Sequence, residues 1–284
     1  MPELPEVETV ARGLQAALPG RTVVAVDVCW WGSVASPDPA EFARRLSGQQ
    51  VRRVGRRGKW IVFDLAGGDT LLVHLRMTGR LLVRAEGCAD LPHLRVQFCL
   101  DDGRCLCFSD QRKFGRMWLV DDPGVVLGAL GVEPLDADFT VARLSEILAH
   151  RRRQIKPLLL DQTVVAGLGN IYVDESLWRA GIHPLRASDR LSPDDVQRLH
   201  AAIQTVLREA VAHEGTTLDD QGYVGADGRP GDFAGSLGVY ARAGAACPRC
   251  GCSVERIVVG QRGTHICPMC QPLSQGGGSW PDLR

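Results

Sequence analysis

Two cysteine pairs near the carboxyl end limit the possible folds of this chain more than any other feature. Both pairs have the spacing Cys-x-x-Cys, Cys247 with Cys250 and Cys267 with Cys270, and sixteen residues separate them. Two pairs at this separation are typical of four thiolates around one tetrahedral zinc ion. Because protein ligands fill all four positions, the zinc is structural and folds a segment too small for its own core. The spacing predicts a four-cysteine zinc ribbon over residues 239–272.

The other cysteines lack ligand spacing. Cys252 lies just beyond the first pair, and we interpret it as unrelated to the metal. Five more are interpreted as free thiols that pack like small buried hydrophobic residues: Cys29, Cys88, Cys99, Cys105 and Cys107. The amino terminus has no signal-peptide pattern, and no apolar run approaches the ~20 residues that span a bilayer. We therefore expect a cytosolic, reducing setting, in which disulfides are rare.

The overall charge does not point to a particular partner. The formal net charge is zero, with 33 basic and 33 acidic residues. The basic residues are nevertheless clustered, at Arg52, Arg53, Arg56, Arg57 and Lys59, at Arg112 and Lys113, and at Arg151, Arg152 and Arg153. A neutral protein can carry one basic face, so the composition permits nucleic-acid binding without arguing for it.

The first half of the chain has a β pattern after one helix. Apolar residues at helical spacing predict a helix over 7–18, which Pro19-Gly20 ends. Short apolar segments separated by Gly- and Asp-bearing turns follow, and a short helix over 41–46 interrupts them. The predicted strands cover 22–28, 60–65, 70–75, 81–83, 94–98 and 105–108. This pattern indicates a β-sandwich or barrel.

The second half has helical spacing until residue 214, and then a Gly- and Asp-rich loop. The predicted helices cover 141–150, 155–161, 171–180 and 194–213. We therefore expect an α+β multidomain protein. Its predicted parts are an amino-terminal β-sandwich with flanking helices over 1–132, a helical domain with a loop over 133–238, the zinc ribbon over 239–272 and a tail over 273–284.

The first residues carry the pattern with the most chemical potential. If Met1 is removed, Pro2 becomes a terminal secondary amine, and a terminal amine titrates near pH ~8. Its attack on a sugar C1′ would give an iminium, an electron sink for later elimination. Glu3 could move protons there, and Glu6 could hold the amine or the sugar. The alternative is a start that only leads into a helix, with Pro2 and Pro5 in its first turn.

The string Pro2–Thr9, PELPEVET, resembles the opening of the formamidopyrimidine-DNA glycosylase/endonuclease VIII family, in its formamidopyrimidine branch. The resemblance extends over residues 1–271. It implies a bifunctional DNA glycosylase and AP lyase of base excision repair that removes oxidised purines, 8-oxoguanine and formamidopyrimidines. Pro2 would attack C1′ as a Schiff-base nucleophile and Glu3 would shuttle the sugar-ring proton. β,δ-Elimination would then release the 3′ and the 5′ phosphates, with no metal in the chemistry.

The same resemblance gives roles to other residues. The string Arg56–Trp60 resembles a family strand whose lysine, here Lys59, would hold a phosphate or donate a proton near the sugar. Residues 155–177, with their Gly-Leu-Gly-Asn turn, resemble the helix–two-turn–helix DNA-binding element of the family. Its implied phosphate-binding and DNA-contacting residues are Arg152, Lys156 and Asn170. In the ribbon, Arg262 would bind phosphate and assist the final elimination.

Removal of a base requires the nucleotide to leave the stack, so other side chains must fill the space. Met77, Arg112 and Phe114 match the void-filling residues of the family in position and order. Two further DNA contacts, His93 and Lys113, stand in motifs that depart from the usual pattern.

These departures are specific. Leu91 replaces the first histidine of a usual His-x-His, and Lys113 replaces an arginine. Arg76 and Ala241 stand where glycine is common, and the loop over 217–233, which caps the flipped base in this branch, is longer than usual. The lesion and opposite-base preferences are therefore left open.

Two alternatives share part of this evidence. An endonuclease VIII-like enzyme would use the same chemistry on oxidised pyrimidines. A non-catalytic zinc-ribbon protein that binds damaged DNA would keep Met1, which blocks the proline nitrogen. The expected partner of the enzyme is double-stranded DNA with a damaged base or an abasic site. We expect a cytoplasmic, nucleoid-associated monomer that does not bind membranes.

Overall fold

The computed structural model describes residues 1–85, 87–218 and 222–273. These residues form two compact units, one of Met1–Ala129 with Glu209–Gly235 and one of Leu130–Arg208 with the described residues from Ser236 onward. The predicted tail lies outside the described residues from 274 onward. No helix in the described ranges has the length and apolarity needed to cross a membrane.

The first unit begins with helix α1, Leu4–Ala17. Pro5 stands in its first turn, where a missing backbone N–H costs nothing. Leu4, Val7, Val10 and Leu14 are each at most 1% exposed, so one face of α1 is fully buried. The predicted helix is therefore present, and it begins three residues earlier than expected because Glu3 caps it.

The remaining elements of the first unit are mostly strands. In chain order they are β1 Val23–Val28, β2 Val34–Ser36, α2 Pro39–Leu46, β3 Val51–Arg57, β4 Trp60–Leu65, β5 Thr70–His74, β6 Gly79–Arg84, β7 Leu94–Leu100, β8 Cys105–Asp110, β9 Arg116–Val120 and α3 Gly124–Leu127. They form a four-stranded sheet in the order β1-β7-β8-β6 and a five-stranded sheet in the order β2-β9-β5-β4-β3. Only β2 and β9 pair in parallel among the described strands of this unit.

The two sheets share one hydrophobic core, which confirms the predicted sandwich. Phe98 and Phe108 reach it from one sheet, Phe63 and Met117 from the other, and all are at most 1% exposed. The sequence prediction missed β2, β3 and β9. In β3 the arginines hid the pattern, because Val51 and Val54 are its buried apolar positions among basic neighbours.

The cysteines of the first unit differ from our expectation. Cys88 and Cys107 are joined by a disulfide, whereas we predicted free thiols. Cys105 is buried and beside Cys99, which is partly exposed, and Cys29 is exposed. The prediction of buried thiols was therefore wrong for Cys29. Spacing along the chain could not reveal that the 88–91 segment folds over β8.

The segment Glu209–Gly235, the end of a helix and the loop after it, also belongs to the first unit, whereas we had grouped it with the helical domain. Tyr223 and Ala226 are part of the sandwich core. The hydroxyl of Tyr223 donates to the carbonyl of Glu214 at 2.9 Å. Residues 219–221 of the expected capping loop lie outside the described ranges.

The second unit contains the expected helices and the ribbon. They are α4 Val141–Ala149, α5 Ile155–Leu160, α6 Asn170–Ala180, α7 Pro193–Ala212, β10 Glu255–Val259 and β11 Arg262–Ile266, and only residues 209–212 at the end of α7 belong to the first unit. Strands β10 and β11 form a two-stranded antiparallel sheet. A small cluster of Trp178, Val239, Val254 and two of the paired cysteines is the core beneath this sheet.

Candidate active site and nucleic-acid interface

The start of α1 is held by two carboxylates in a reciprocal pair. The side chain of Glu3 accepts from the backbone N–H of Glu6, and Glu6 Oε2 accepts from the backbone N–H of Glu3 at 2.7 Å. This capping box satisfies N–H groups that a helix start leaves without partners. Pro2 is buried directly before it, while Met1 is 47% exposed. The first residues are therefore fixed, and Met1 points outward.

Glu6 also binds the loop at residues 215–216, about 210 positions later in the sequence. Its Oε1 accepts from the backbone N–H of Thr216 at 2.8 Å, and Glu6 is 2% exposed. Gly215 has φ +85°, and a Cβ there would lie 2.9 Å from the same oxygen. Both carboxylate oxygens of Glu6 thus accept backbone N–H groups, so Glu6 positions the amino terminus and the loop.

A salt bridge connects α1 to the turn that carries Lys59. Arg56 Nε donates to Glu8 Oε2 at 2.8 Å, and Arg56 Nη1 donates to the carbonyl of Gly58 at 2.9 Å. Burial alone would raise the pKa of Glu8, but the bonds and charges of Arg56 and Arg12 hold it below its usual value. Lys59 follows Gly58 and is 5% exposed. This bracing was not predicted, because it joins residues 48 positions apart.

His74 is a neutral, buried imidazole at the end of β5. Burial lowers its pKa to about 3, with a further contribution from the positive charges of Arg76 and Lys59. Its Nδ1 accepts from the backbone N–H of Arg76 at 3.0 Å, and its ring meets Trp60 edge-on at 4.8 Å. With Nδ1 used as an acceptor, the ring proton resides on Nε2. His74 is therefore a fixed donor, and our sequence analysis gave it no role.

The predicted void-filling residues lie on two neighbouring loops of the first unit, 75–78 between β5 and β6 and 111–115 between β8 and β9, which we call the tips. Met77 is 38% exposed and Phe114 is 46% exposed, so both side chains reach the surface. The guanidinium of Arg112 lies over the Phe114 ring, 4.8 Å from its centre. The tips therefore present apolar and cationic groups together.

Left-handed backbone conformations shape these tips. Arg76, His93 and Lys113 all have φ near +60°, a backbone conformation that residues other than glycine adopt only at an energetic cost. The Lys113 ammonium lies 4.2 Å from the centre of the Trp30 ring. His93 is exposed. Arg76 thus stands at a position where the backbone explains why glycine is common in the family.

In the second unit the four paired cysteines converge, as predicted. Their sulfur atoms all lie within 4.8 Å of one another. A tetrahedron with Zn–S bonds of about 2.3 Å has S···S edges of about 3.8 Å, so the cluster fits one zinc ion. Cys252 is not part of this group. The ribbon core is small, so its fold depends on the metal.

Lys156 lies in a buried network instead of on a surface. Its ammonium contacts Asp174 Oδ1 at 2.6 Å, and both side chains are 0% exposed. It also donates to Thr264 Oγ1 at 2.8 Å and to the carbonyl of Gly263 at 3.3 Å. The expectation that Lys156 holds a phosphate directly does not fit this geometry. Lys156 instead fixes the start of β11 against α5 and α6.

Asn170 supports the same strand from the start of α6. Its Nδ2 donates to the carbonyl of Gly263 at 2.9 Å, and its Oδ1 is buried without a hydrogen-bond partner among the described residues. Arg262 is exposed just after a turn in which Gly260 and Gln261 both have positive φ. Such a turn reverses a hairpin tightly. The arrangement holds an exposed guanidinium on a rigid hairpin.

Two acidic residues of α6 anchor the ribbon. Asp174 Oδ2 accepts from the backbone N–H of His265 at 2.9 Å. Glu175 accepts from three successive backbone N–H groups, those of residues 238, 239 and 240, at 2.8 to 2.9 Å. Burial raises the pKa of Glu175, although these bonds act in the opposite direction. The DNA contact predicted at Arg152 lies on the surface of the same unit, because its side chain is 72% exposed, with Nε 4.0 Å from Asp189 Oδ2.

The predicted residues therefore fall into two groups. The first unit holds Pro2, Glu3, Glu6, Lys59, Met77, His93, Arg112, Lys113 and Phe114. The second unit holds Arg152, Lys156, Asn170, Arg262 and the cysteines. Sequence reasoning missed Glu8, Arg56, His74, Asp174 and Glu175. Glu8, Arg56, Asp174 and Glu175 lie in segments that resemble family motifs, but only their contacts in the structure show what they do.

Family models match most of the chain. The formamidopyrimidine-DNA glycosylase N-terminal domain matches residues 1–117, and the H2TH domain of the same enzyme matches residues 130–221. The zinc finger found in FPG and IleRS matches residues 244–273.

Relatives and solved structures agree along the whole length. A formamidopyrimidine-DNA glycosylase of Chloroflexus aggregans is 49% identical over 277 residues, which cover 97% of this chain and 100% of the relative. An Fpg structure from Thermus thermophilus has a TM-score of 0.86 at 42% identity and covers 95% of this chain and 98% of its own. Fpg of Lactococcus lactis, in complex with DNA containing an abasic site, has a TM-score of 0.88 at 33% identity. The match covers 95% of this chain and 99% of the Lactococcus chain. This chain belongs to the formamidopyrimidine-DNA glycosylase family.

Proposed function

We propose that this protein is a bifunctional DNA glycosylase and AP lyase of base excision repair. It removes oxidised purines, 8-oxoguanine and formamidopyrimidines, from double-stranded DNA and then cleaves the strand at the abasic site. The observation that carries the proposal is the amino terminus, where Pro2 is buried beside the reciprocal bonds of Glu3 and Glu6. Lactococcus lactis Fpg, which shares the fold, has been crystallised with DNA containing Fapy-dG.

The reaction begins once Met1 has been removed. The Pro2 nitrogen, a secondary amine, attacks C1′ of the damaged nucleoside, and the base leaves with a proton. The C1′–O4′ bond of the sugar ring then breaks, O4′ takes up a proton, and an open-chain iminium forms. The iminium withdraws electrons from C2′, so loss of the C2′ proton expels the 3′ phosphate. A second elimination expels the 5′ phosphate. Glu3, the neighbouring carboxylate, moves the proton of the sugar ring oxygen during ring opening.

The remaining groups of the first unit hold this centre and the DNA around it. Glu6 keeps the amino terminus and the 215–216 loop in register through its two backbone bonds. Lys59 supplies positive charge or a proton near the sugar, on a turn braced by Arg56 and Glu8. Met77, Arg112 and Phe114 fill the space of the flipped nucleotide, and His93 and Lys113 contact the backbone of the DNA.

The second unit contributes phosphate contacts from the ribbon hairpin, from the start of α6 and from the segment before α5. Arg262, Asn170 and Arg152 are the contacting residues, and a planar guanidinium suits two oxygens of one phosphate. Lys156 acts indirectly, because its buried pair with Asp174 fixes the strand that begins at Arg262. The four cysteines hold a structural zinc that folds the ribbon and takes no part in bond breaking.

Trapping with borohydride tests the chemistry. Borohydride reduces an iminium to a stable amine, so wild-type protein should form a covalent adduct with an abasic-site duplex through residue 2. Pro2→Gly should lose most lyase activity while it still binds the duplex. Pro5→Gly, at the proline in the first turn of α1, is the matched control and should still form the adduct. An adduct of equal yield with Pro2→Gly, or no adduct with wild type, would contradict the proposal.

A panel of duplexes with single lesions separates this function from an endonuclease VIII-like activity. Oxidised purines should be excised in preference to oxidised pyrimidines if the protein follows the formamidopyrimidine branch. The intact mass of the purified protein should show loss of Met1. Full activity with Met1 retained would point to another nucleophile. We further propose a monomer in the cytoplasm at the nucleoid, where its DNA substrate lies.

A further inference from the structure

The exposed tips of the first unit share one buried carboxylate. Asp110, the last residue of β8, is 0% exposed. Its Oδ1 accepts from the hydroxyl of Thr78 at 2.5 Å and from the backbone N–H of Arg112 at 3.2 Å. Its Oδ2 accepts from the backbone N–H of Gly115 at 2.7 Å. One side chain thus bonds the loop after Met77 and both ends of the loop that carries Arg112 and Phe114.

Further bonds tighten the same junction. Thr78 Oγ1 accepts from the backbone N–H of Arg112 at 3.1 Å, so the two loops are also bonded directly. The backbone N–H of Asp110 donates to the carbonyl of His93 at 3.0 Å. A Cβ at Gly115 would lie 2.4 Å from the Phe108 ring, which leaves no space for the second loop to shift inward. Three segments with proposed DNA contacts therefore meet at Asp110.

We propose that Asp110 is a positioning residue that makes Met77, Arg112 and Phe114 act as one rigid probe. The inference rests on the proposed function, since it concerns the insertion of these side chains into DNA. Three donors converge on two oxygens that can only accept, and a carboxylate is the side chain that meets this demand. Asparagine would turn an NH₂ group towards one of the donors, inside a fully buried site where the lost bond is not replaced.

Rigidity matters because side chains that enter the DNA lose conformational entropy, and this loss opposes insertion. When both tips are fixed before DNA arrives, Met77 and Phe114 enter the stack together. When the junction is loosened, each tip has to be ordered during insertion. Base removal from a duplex depends on this step. Cleavage of an abasic site in a single strand does not, because no base pair has to be opened.

The mildest test removes one bond of the junction. Thr78→Val keeps the shape of the side chain but deletes the hydroxyl that bridges Asp110 and Arg112. We expect the ratio of 8-oxoguanine removal from a duplex to cleavage of a single-stranded abasic oligonucleotide to fall about tenfold, under single-turnover conditions. Ser47→Ala, which deletes an exposed hydroxyl at the end of α2, is the control and should leave the ratio unchanged. Asp110→Asn should lower the ratio further.

A second readout follows the insertion itself. The fluorescence of 2-aminopurine placed opposite an abasic site reports unstacking when the probe enters. Thr78→Val should slow this signal, and the slowing should disappear when Phe114→Ala is already present, because the two changes then act on the same probe. Additive effects would overturn the proposal.

The outcomes separate this inference from the proposed function. If the ratio is unchanged in Thr78→Val, whether both rates fall together or neither falls, the positioning role is wrong. If wild-type protein cleaves neither substrate and forms no borohydride adduct, the proposed function itself fails. Thr78→Val decides the question even if Asp110→Asn does not fold, which the melting temperature shows.

Discussion

The amino-terminal site of the first unit and the ribbon hairpin of the second unit both present functional groups on fixed backbone, but different forces fix them. In the first unit, carboxylates such as Glu6 and Asp110 accept backbone N–H groups above a large apolar core. In the ribbon of the second unit, a cluster of four cysteines that fits zinc and a buried ion pair take the place of a large core. The comparison shows that a small element needs strong, localised interactions, whereas a large core tolerates strain at its edges.

Removal of zinc should have the largest effect, because structural zinc contributes on the order of 10 kcal/mol to the folding of small ribbons. Chelation, or Cys267→Ser, should expose β10 and β11 to hydrogen exchange and weaken DNA binding at least about tenfold. The sandwich should keep its exchange protection, since none of its core residues depends on the metal. Cys252→Ser is the matched control and should behave as wild type. Retained protection of β10 and β11 in Cys267→Ser would show that the ribbon has another source of stability.

Loss of the buried cation should come next. Lys156→Met leaves Asp174 buried and charged without its ammonium partner, so we expect a loss of about 3–5 kcal/mol in the free energy of unfolding. Urea denaturation of the intact protein measures this change. Arg153→Met breaks an ion pair of similar length, 2.8 Å to Asp161, but Arg153 is 47% exposed. This control should cost less than about 1 kcal/mol. Equal effects of the two changes would mean that burial of the pair is unimportant.

His74 gives the first unit a pH dependence. Its pKa in the folded protein is about 3, below its ordinary value of 6.5. Between these values the unfolded chain binds a proton that the folded protein excludes. This contribution to stability is therefore fully present above pH 6.5 and is lost as the pH falls towards 3, on the order of 5 kcal/mol over the whole window.

Two measurements check the His74 prediction. The imidazole signals of His74 in NMR spectra should not titrate between pH 8 and about 4, because the ring is neutral throughout. His74→Gln should flatten the dependence of the unfolding free energy on pH in the acid range. A His74 signal that titrates near neutral pH would contradict a buried, neutral imidazole.

Much of this molecule could be predicted because the signals are local. The cysteine spacing specified the ribbon, and apolar periodicity located α1, β4, β5 and the helices of the second unit to within a few residues. The departures at Arg76 and Ala241 also had a local meaning, since both residues have positive φ, the conformation that glycine favours. A pattern of residue types along the chain is enough for such features.

Contacts between distant residues could not be predicted in this way. The motif predicts that Lys156 is an exposed basic residue, but in the structure Thr264, 108 positions away, helps to bury it. Asp110 bonds Thr78 across 32 positions, and Cys88 joins Cys107 over 19. Each of these depends on which loops meet after the sheets have formed. Positions of candidate residues were therefore easier to predict than whether a residue acts directly or through a neighbour.

The smallest predicted effect compares backbone strain in the two units. Arg76→Gly and Ala241→Gly both relieve a left-handed conformation near +57° and +59°, so each should stabilise its unit by about 0.5 kcal/mol, after the greater freedom of glycine in the unfolded chain is subtracted. Arg76→Gly also removes a positive charge that helps to lower the pKa of His74. It should therefore raise that pKa, whereas Ala241→Gly should leave it unchanged. Urea denaturation measures the change in stability, and the His74 NMR signals measure the change in pKa in the same samples. If either glycine destabilises the protein, the native side chain must make a contact that stabilises the fold by more than the backbone strain costs.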